Sequence, residues 1–467
     1  MYKLIICVDN KNGIGKNNEL PWYIKEDMKF FKKKTLKKKN EDKKNCVIMG
    51  RKTYESIPKR FRPLKDRINL VLSKSLDKNI ETENLKIFRE LKELLRYVNK
   101  NKKIIETSYV IGGKTIYEQF LKEELVDEIY MNRVDYNFNC DIKVNIDLKD
   151  YKLLTNDDIK TEEGYDLEMK HYKYVNKEEN NYLKLMGELL EQGNDKDDRT
   201  NTGTFSSFGN CLKYDISNNK LPLLTTKFVP FRFITEELLW FLSGSTDSTK
   251  LQEKKIRIWE GNTTREFLDN RGLNHMPVGD IGAGYSHQLR HFGAEYNTCK
   301  DDYTGKGFDQ LKYVVDLIKN NPDSRRILFS YWNPSQLKDM SLPCCHILYQ
   351  FYVDKKNKTI SCCLFQRSSD YFLANNYNAV SAILLTHILG SLCDYKPKEF
   401  IHFIGDTHIY KNHVEQCKEQ MKREPTRFPK IYLNKEVKSL EDILELKYED
   451  FELVNYNYKK ALRGKMN

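Results

Sequence analysis

Apolar and polar positions fall into two long rhythms separated by one short polar stretch. Residues 3–8 predict a buried first strand, and Asn10-Lys-Asn-Gly-Ile-Gly15 is a turn-rich loop. Pro21-Trp22 precedes a helix predicted over 24–34. Strands follow at 45–49, 67–72, 108–111 and 128–134 with helical stretches between them, and a strand at 170–174 closes the series. Strands alternating with helices imply an α/β unit.

Residues 176–181 are polar and carry no Pro/Gly spacer, so they predict a short linker. The second rhythm opens with a helix over 182–192 and continues with a mostly apolar helix over 233–241. Helices are predicted at 310–320, 379–392 and 408–423, and strands at 326–330, 346–353, 359–365 and 400–403. That mixture is α+β.

At 467 residues the chain exceeds one ordinary domain, and 29 Tyr and 23 Phe supply material for two cores. No run of 18 apolar residues and no leader pattern occurs, so neither a membrane nor a secreted location is expected. The 11 cysteines show no paired C-x-x-C spacing; free thiols in a reducing cytoplasm are expected, and no metal. The net charge of +12 invites a nucleic-acid reading, with nine lysines between Lys29 and Lys44. No aromatic or arginine interleaving accompanies them, so they read first as a solvated helix end and loop in a lysine-rich chain. A positive field for anionic small substrates is the sharper alternative, and nucleic acid is not expected.

Ser341-Leu-Pro-Cys-Cys-His346 sits at the mouth of a run of β-formers, and a second such run ends in Gln366-Arg-Ser-Ser-Asp370. Two adjacent strands there would hold Cys345 beside Arg367. A free thiol titrates near ~8.5, and a guanidinium neighbour lowers that, making Cys345 a nucleophile at neutral pH. An anionic phosphate suits bidentate arginines, for which Arg199, Arg325, Arg326 and Arg367 with Ser368 are candidates. In the first unit Asp27 shares a helix with Phe30 and Phe31, where burial would need a ligand to pair with it; taken alone it reads rather as a solvent-facing acid at a helix start. Met49-Gly-Arg-Lys-Thr53 sets two cations and a hydroxyl at a strand-to-helix turn, and Ile111-Gly-Gly113 allows close approach of a pyrophosphate.

The ordered set Gly13-Ile14-Gly15, Pro21-Trp22, Asp27, Met49 to Thr53, Arg67 before Ile-Asn-Leu-Val-Leu-Ser73, and Val-Ile-Gly-Gly113 with Tyr117 resembles dihydrofolate reductase across residues 1–175. The resemblance implies a central mixed sheet flanked by helices, and NADPH as hydride donor to dihydrofolate. It implies that Asp27 binds the pterin and aids protonation, and that Arg67 pairs with the glutamate carboxylate. Arg51, Lys52 and Thr53 would hold the 2′-phosphate, and Gly112, Gly113 and Tyr117 the pyrophosphate and nicotinamide. The Cys7 backbone, Gly13 to Glu19 and Ser73 would complete that site, with Ile6, Leu20, Phe31, Ile57, Leu64 and Ile111 as apolar walls. Asn132 stands where the family has a threonine bonded to the acid.

Residues 180–467 resemble thymidylate synthase through Asp198-Arg-Thr-Asn-Thr-Gly203, Pro222-Leu-Leu-Thr-Thr-Lys227, Glu236-Glu-Leu-Leu-Trp240, His291-Phe-Gly-Ala-Glu-Tyr296, Asp323-Ser-Arg-Arg326, the Cys345 stretch, Gln366 to Asp370, and Gly405-Asp-Thr-His-Ile-Tyr410. The resemblance implies that Cys345 adds to dUMP, which then takes a carbon from 5,10-methylenetetrahydrofolate. Tyr285 would help remove the C5 proton and Glu237 would order water at O4. Asn378 would read the base, a side-chain amide matching O4 and N3–H of uracil. His346 would order water nearby. Gln366, Ser368, Ser369, His408, Ile409 and Tyr410 would bind the nucleotide, and Asp370 and Trp259 the folate. The family is a homodimer, and Arg325 and Arg326 would reach the partner subunit's phosphate site. Departures from its pattern are Cys344, Phe228, Leu289, Ala374-Asn-Asn-Tyr377 and the ending Arg463-Gly-Lys-Met-Asn467.

Overall fold

The computed structural model describes residues 1–198 and 200–465. The chain divides after Asn176 into two compact units.

In the first unit, β1 (Tyr2–Val8), β2 (Lys44–Gly50), β3 (Arg67–Leu72), β4 (Leu85–Phe88), β5 (Ile105–Gly112), β6 (Val126–Val134), β7 (Tyr151–Lys160) and β8 (Asp166–Tyr174) form one sheet. Its order is β4-β3-β2-β5-β1-β6-β8-β7. Pairings from β4 through β6 are parallel, and β8 pairs antiparallel with both β6 and β7. Consecutive residues Asn45 to Met49 are all buried, so both faces of β2 are covered, as a parallel strand requires. The expected mixed sheet is present.

Helix α1 (Lys25–Leu36) follows the macrodipole, with Glu26 and Asp27 in its first turn and Lys33 and Lys34 in its last. Yet its buried residues are Asp27 and Thr35, so an acid occupies a position that packing would give to a hydrocarbon. Helices α2 (Arg51–Ser56), α3 (Leu91–Lys100) and α4 (Lys114–Lys122) connect the parallel strands.

The second unit opens with α5 (Lys177–Gln192), which takes up most of the stretch expected as a linker at 176–181. Its sheet holds β9 (Asn194–Lys196), β10 (Thr204–Asp215), β11 (Leu328–Ser330), β12 (His346–Asp354), β13 (Thr359–Asp370) and β14 (Lys396–Tyr410) in the order β9-β10-β14-β13-β12-β11. Only β13–β14 is parallel. Around one face gather α6 (Phe231–Leu242), α7 (Tyr285–His291), α8 (Gln310–Asn320) and α9 (Asn375–Cys393). Helix α9 is buried on almost every side, which marks it as the core helix.

The helix expected over 408–423 is a correction. Strand β14 runs through His408 to Tyr410, a 3-10 turn covers Lys411–His413, and α10 is Val414–Met421. Burial along β14 falls on Phe400, His402 and Ile404 and then on Thr407 and Ile409, so the alternation changes phase at Gly405 and hides the strand. A Cβ at Gly405 would lie 2.7 Å from the Arg367 carbonyl oxygen, so only glycine lets β14 approach β13 there.

Candidate active sites

In the second unit the β12–β13 ladder pairs His346 with Gln366, and the Arg367 N–H donates to the Cys345 carbonyl at 2.9 Å. That register brings Arg367 Nη2 to 3.9 Å from Cys345 Sγ. The guanidinium is itself fixed, since Nε donates to the Cys344 carbonyl at 2.8 Å and Nη2 to that of Pro343 at 2.9 Å. A fixed cation beside a half-buried thiol favours the thiolate. Its neighbour behaves in the opposite way: Cys344 is fully buried, and burial pushes its thiol up to about 12.

The Cys345 N–H donates to Tyr285 Oη at 2.8 Å. Tyr285 stacks on His346 with ring centroids 4.5 Å apart, and burial holds its phenol neutral, well above its ordinary range. His346 is buried against Tyr349 Oη at 2.8 Å, and burial pushes it down to about 3, so it is a neutral imidazole. Trp259 Nε1 donates to Glu237 Oε1 at 2.8 Å, and burial raises that carboxyl to about 7. Glu236, one residue away, is instead spent on Lys254 at 2.5 Å.

Further along, Gln366 Oε1 lies 2.9 Å from His402 Nε2, and Ser369 Oγ accepts from Asn375 at 3.1 Å. Ser368 stands half-buried beside Arg367. Asp370 Oδ1 accepts the N–H groups of Phe372 and Leu373 at 3.1 and 3.0 Å. His408 Nδ1 sits 3.1 Å from Asp406, which holds that carboxyl far below the carboxylate range, and Tyr410 packs edge-on to His408. Asn378, on the first turn of α9, is half-buried and its amide has no side-chain partner among the described residues. The Ile409 side chain lies wholly in the core, so only its backbone can face a ligand. Arg325 and Arg326 are exposed, with no carboxylate partner among the described residues. Arg199 lies outside the described residues; Asp198 before it gathers the N–H groups of Thr200, Thr202 and Gly203 at 2.8, 3.0 and 2.7 Å.

The departures have local explanations. Asn376 bridges the Pro222 carbonyl at 2.9 Å and the Leu224 N–H at 3.2 Å, and Leu289 fills core. Phe228 packs at a tilt on Tyr458, ring centroids 4.8 Å apart, tying the 222–228 segment to the C-terminal stretch. Lys227, buried, donates to the Phe372 carbonyl, and burial pushes it down to about 8.

The first unit holds a cavity of about 640 Å³. Cys7, Ile14, Gly15, Leu20, Asp27, Phe31, Arg51, Lys52, Thr53, Ser73, Ile111, Gly112, Gly113 and Tyr117 all line it. Asp27 is 7% exposed and burial raises its pKa, while Asn132 Nδ2 donates to Asp27 Oδ1 at 2.7 Å. So the amide at the departing position keeps a donor on the acid. Tyr117 Oη donates to the Ile5 carbonyl at 2.9 Å and packs on Gly112, whose φ of +122° admits only glycine easily. Gly113 caps α4 without any side-chain bond, leaving N–H groups at the cavity for an anion. With Arg51 and Lys52 beside them, these residues fit a phosphate-bearing dinucleotide.

Ile57, Leu64, Arg67 and Gly13 do not line this cavity. Ile57 and Leu64 pack on the core cluster, and Arg67 Nη1 donates to Thr35 Oγ1 at 2.8 Å at the end of α1. Gly13 has a packing reason of its own, because a Cβ there would strike Cys140 and Asp9. Sequence reasoning gave no site role to Met28, Ser56 or Lys114, all at the cavity wall. Only the folded sheet and helices bring them to the cavity.

Residues 1–176 match the dihydrofolate reductase family model and residues 180–467 the thymidylate synthase model. The chain is 39% identical to the bifunctional dihydrofolate reductase-thymidylate synthase of Paramecium tetraurelia, covering 100% of this chain and 98% of that protein. It is 41% identical to bifunctional dihydrofolate reductase-thymidylate synthase 2 of Arabidopsis thaliana (100% and 88% covered) and 37% to the Leishmania major protein of that kind (100% and 95%).

Proposed function

The chain belongs to the bifunctional dihydrofolate reductase–thymidylate synthase family, and from that premise we propose how its residues divide the two reactions. The enzyme methylates dUMP to dTMP with 5,10-methylenetetrahydrofolate and reduces the resulting dihydrofolate to tetrahydrofolate with NADPH.

In the second unit the Cys345 thiolate adds to C6 of dUMP, and C5 becomes the carbon nucleophile. The observation that carries this reading is Arg367, anchored to two carbonyls and 3.9 Å from the sulfur. It stabilises the thiolate and leaves its remaining N–H groups for the nucleotide's phosphate. Arg199, Ser368 and Ser369 add donors to that phosphate. Tyr285, bonded to the Cys345 backbone, helps remove the C5 proton. Glu237 titrates near neutrality and orders the water that moves protons at O4. Asn378 offers a donor and an acceptor to uracil; Asn378→Asp is expected to lower dUMP turnover roughly 10–100-fold and admit dCMP, read by product analysis. His408 and Tyr410 hold the ribose, and Trp259 and Asp370 the folate, which supplies the carbon and the hydride.

In the first unit Asp27 pairs with the pterin and assists its protonation, while Arg67 takes the glutamate carboxylate. NADPH supplies the hydride; Arg51, Lys52 and Thr53 hold its 2′-phosphate, and Gly112 and Gly113 its pyrophosphate.

The active form is a homodimer built through the second unit. Phe208 (86% exposed), Tyr352, Phe365 and Phe403 lie on the open face of the sheet, with Phe365 and Phe403 adjacent across β13 and β14. Exposed aromatics on these strands support the reading of an interface here. Arg325 and Arg326, just before β11, are then free to reach the partner subunit's phosphate. No helix among the described residues is long and apolar enough to cross a membrane, and every cysteine is a free thiol, in keeping with the cytoplasm.

Tritium release from [5-³H]dUMP and NADPH oxidation with dihydrofolate, assayed separately on one preparation, test the two assignments. Both rates are expected; absence of either removes that unit's assignment.

A further inference from the structure

Resting on the reading of Asn378 as the residue that faces the base, we propose that Asn375 and Asn376 are positioning residues for it. Their amides tie the first turn of α9 to two neighbouring segments, and so fix the place from which Asn378 reads uracil.

The need arises at the helix start. Ala374 caps α9 without any side-chain bond, so no cap of its own holds the first turn. The Asn378 N–H closes that turn on the Ala374 carbonyl at 3.1 Å, so Asn378 moves wherever the turn moves. Its amide has no side-chain partner among the described residues, which leaves backbone placement to decide its reach.

Two ties supply that placement. Asn376, 3% exposed, donates from Nδ2 to the Pro222 carbonyl at 2.9 Å and accepts the Leu224 N–H at Oδ1 at 3.2 Å. One amide thereby pairs a donor and an acceptor of a buried backbone segment. That segment is itself held, because the buried Glu179 carboxyl on α5 takes the N–H and hydroxyl groups of Thr225 and Thr226 at 2.7–2.8 Å. Lys227, the next residue, returns to the Phe372 carbonyl in the turn before α9. Asn375, 1% exposed, reaches the other way and donates from Nδ2 to Ser369 Oγ at 3.1 Å near the end of β13. Its Oδ1 is buried without a partner among the described residues, a penalty that packing alone gives no reason to keep. Both residues fall in the Ala374-Asn-Asn-Tyr377 departure from the synthase pattern, so these ties are this chain's own.

Uracil presents an acceptor at O4 and a donor at N3–H, and cytosine presents the reverse. An Asn378 that shifts loses its pairing with uracil, whereas cytosine, already mismatched, has little to lose.

In the full-length protein Asn376→Leu keeps the volume and removes both bonds. Its KM for dUMP is expected to rise roughly tenfold, the scale of one lost buried hydrogen bond, with kcat within about threefold. The Ki of dCMP as a competitor stays within about twofold, so the gap between the two bases narrows. The Ki of inorganic phosphate, expected unchanged, shows that the second unit is folded. Asn375→Leu narrows the gap in the same direction by less. If Asn376→Leu fails to fold, Asn376→Ser, small enough to admit a bridging water, is read instead with the same sign expected. Equal weakening of dUMP and dCMP, or no change in either, overturns the proposal. An Asn378→Asp enzyme that keeps its base preference defeats the reading of Asn378 instead.

Discussion

Cys345 and Asp27 sit in environments built on opposite electrostatic means. At Cys345 an anion is favoured by a fixed countercharge, Arg367, whose position is set by backbone carbonyls of the same segment as the thiol. At Asp27 the largest influence is burial, which opposes the anion, and uncharged donors temper it. The first arrangement suits a nucleophile that must be ionised before its substrate arrives. The second suits an acid that must pass between charge states around a bound heterocycle. Each fails differently when a residue is changed.

The largest effect separates two adjacent thiols. Cys345→Ser is expected to lower tritium release from [5-³H]dUMP by on the order of 10⁴-fold or more, while NADPH oxidation with dihydrofolate persists. Cys344→Ser leaves release within about threefold, since a thiol raised to about 12 supplies no nucleophile. Equal losses in both variants would erase the distinction drawn between them.

Next in size, Asp27→Asn is expected to slow dihydrofolate reduction at pH 7 by roughly 10²–10⁴-fold with NADPH affinity retained. The same change is expected to stabilise the fold above the pH at which Asp27 ionises, because a buried charge is removed. The sign follows from a raised folded pKa: that group's contribution to stability is present at low pH and lost as pH rises through it. Thermal melting at acid and neutral pH measures it, and a stability gain confined to acid would contradict it.

The smallest effect concerns Glu237. With its carboxyl raised to about 7, thymidylate formation should show an inflection near that pH, protonated below and ionised above. Glu237→Gln should flatten the profile while lowering the rate. Persistence of the inflection would assign it to another group.

Much of this was legible in the chain, and the reasons differ by region. Cys345 and Arg367 could be placed together because both lie at the ends of β-forming runs whose antiparallel pairing is a local matter. The parallel strand β2 announced itself as a continuous apolar stretch, whereas β4, only four residues long and with a lysine among them, did not. Strand β7 did not, because it lies at the sheet edge and is exposed at nearly every position, leaving no alternation to read. The end of β14 was hidden by its phase change at Gly405, where close approach to Arg367 overrides the pattern. The Asn132 donor on Asp27 comes from a strand more than a hundred residues away in sequence, and only the completed sheet brings the two together.

The most direct test of the Cys345 account is covalent trapping with 5-fluoro-dUMP and methylenetetrahydrofolate. Fluorine at C5 cannot leave as a cation, so the reaction halts after both bonds have formed. Peptide mass analysis is expected to find nucleotide plus folate on Cys345, with Cys344 in the same peptide unmodified. An unmodified Cys345, or the adduct on Cys344, would contradict the account.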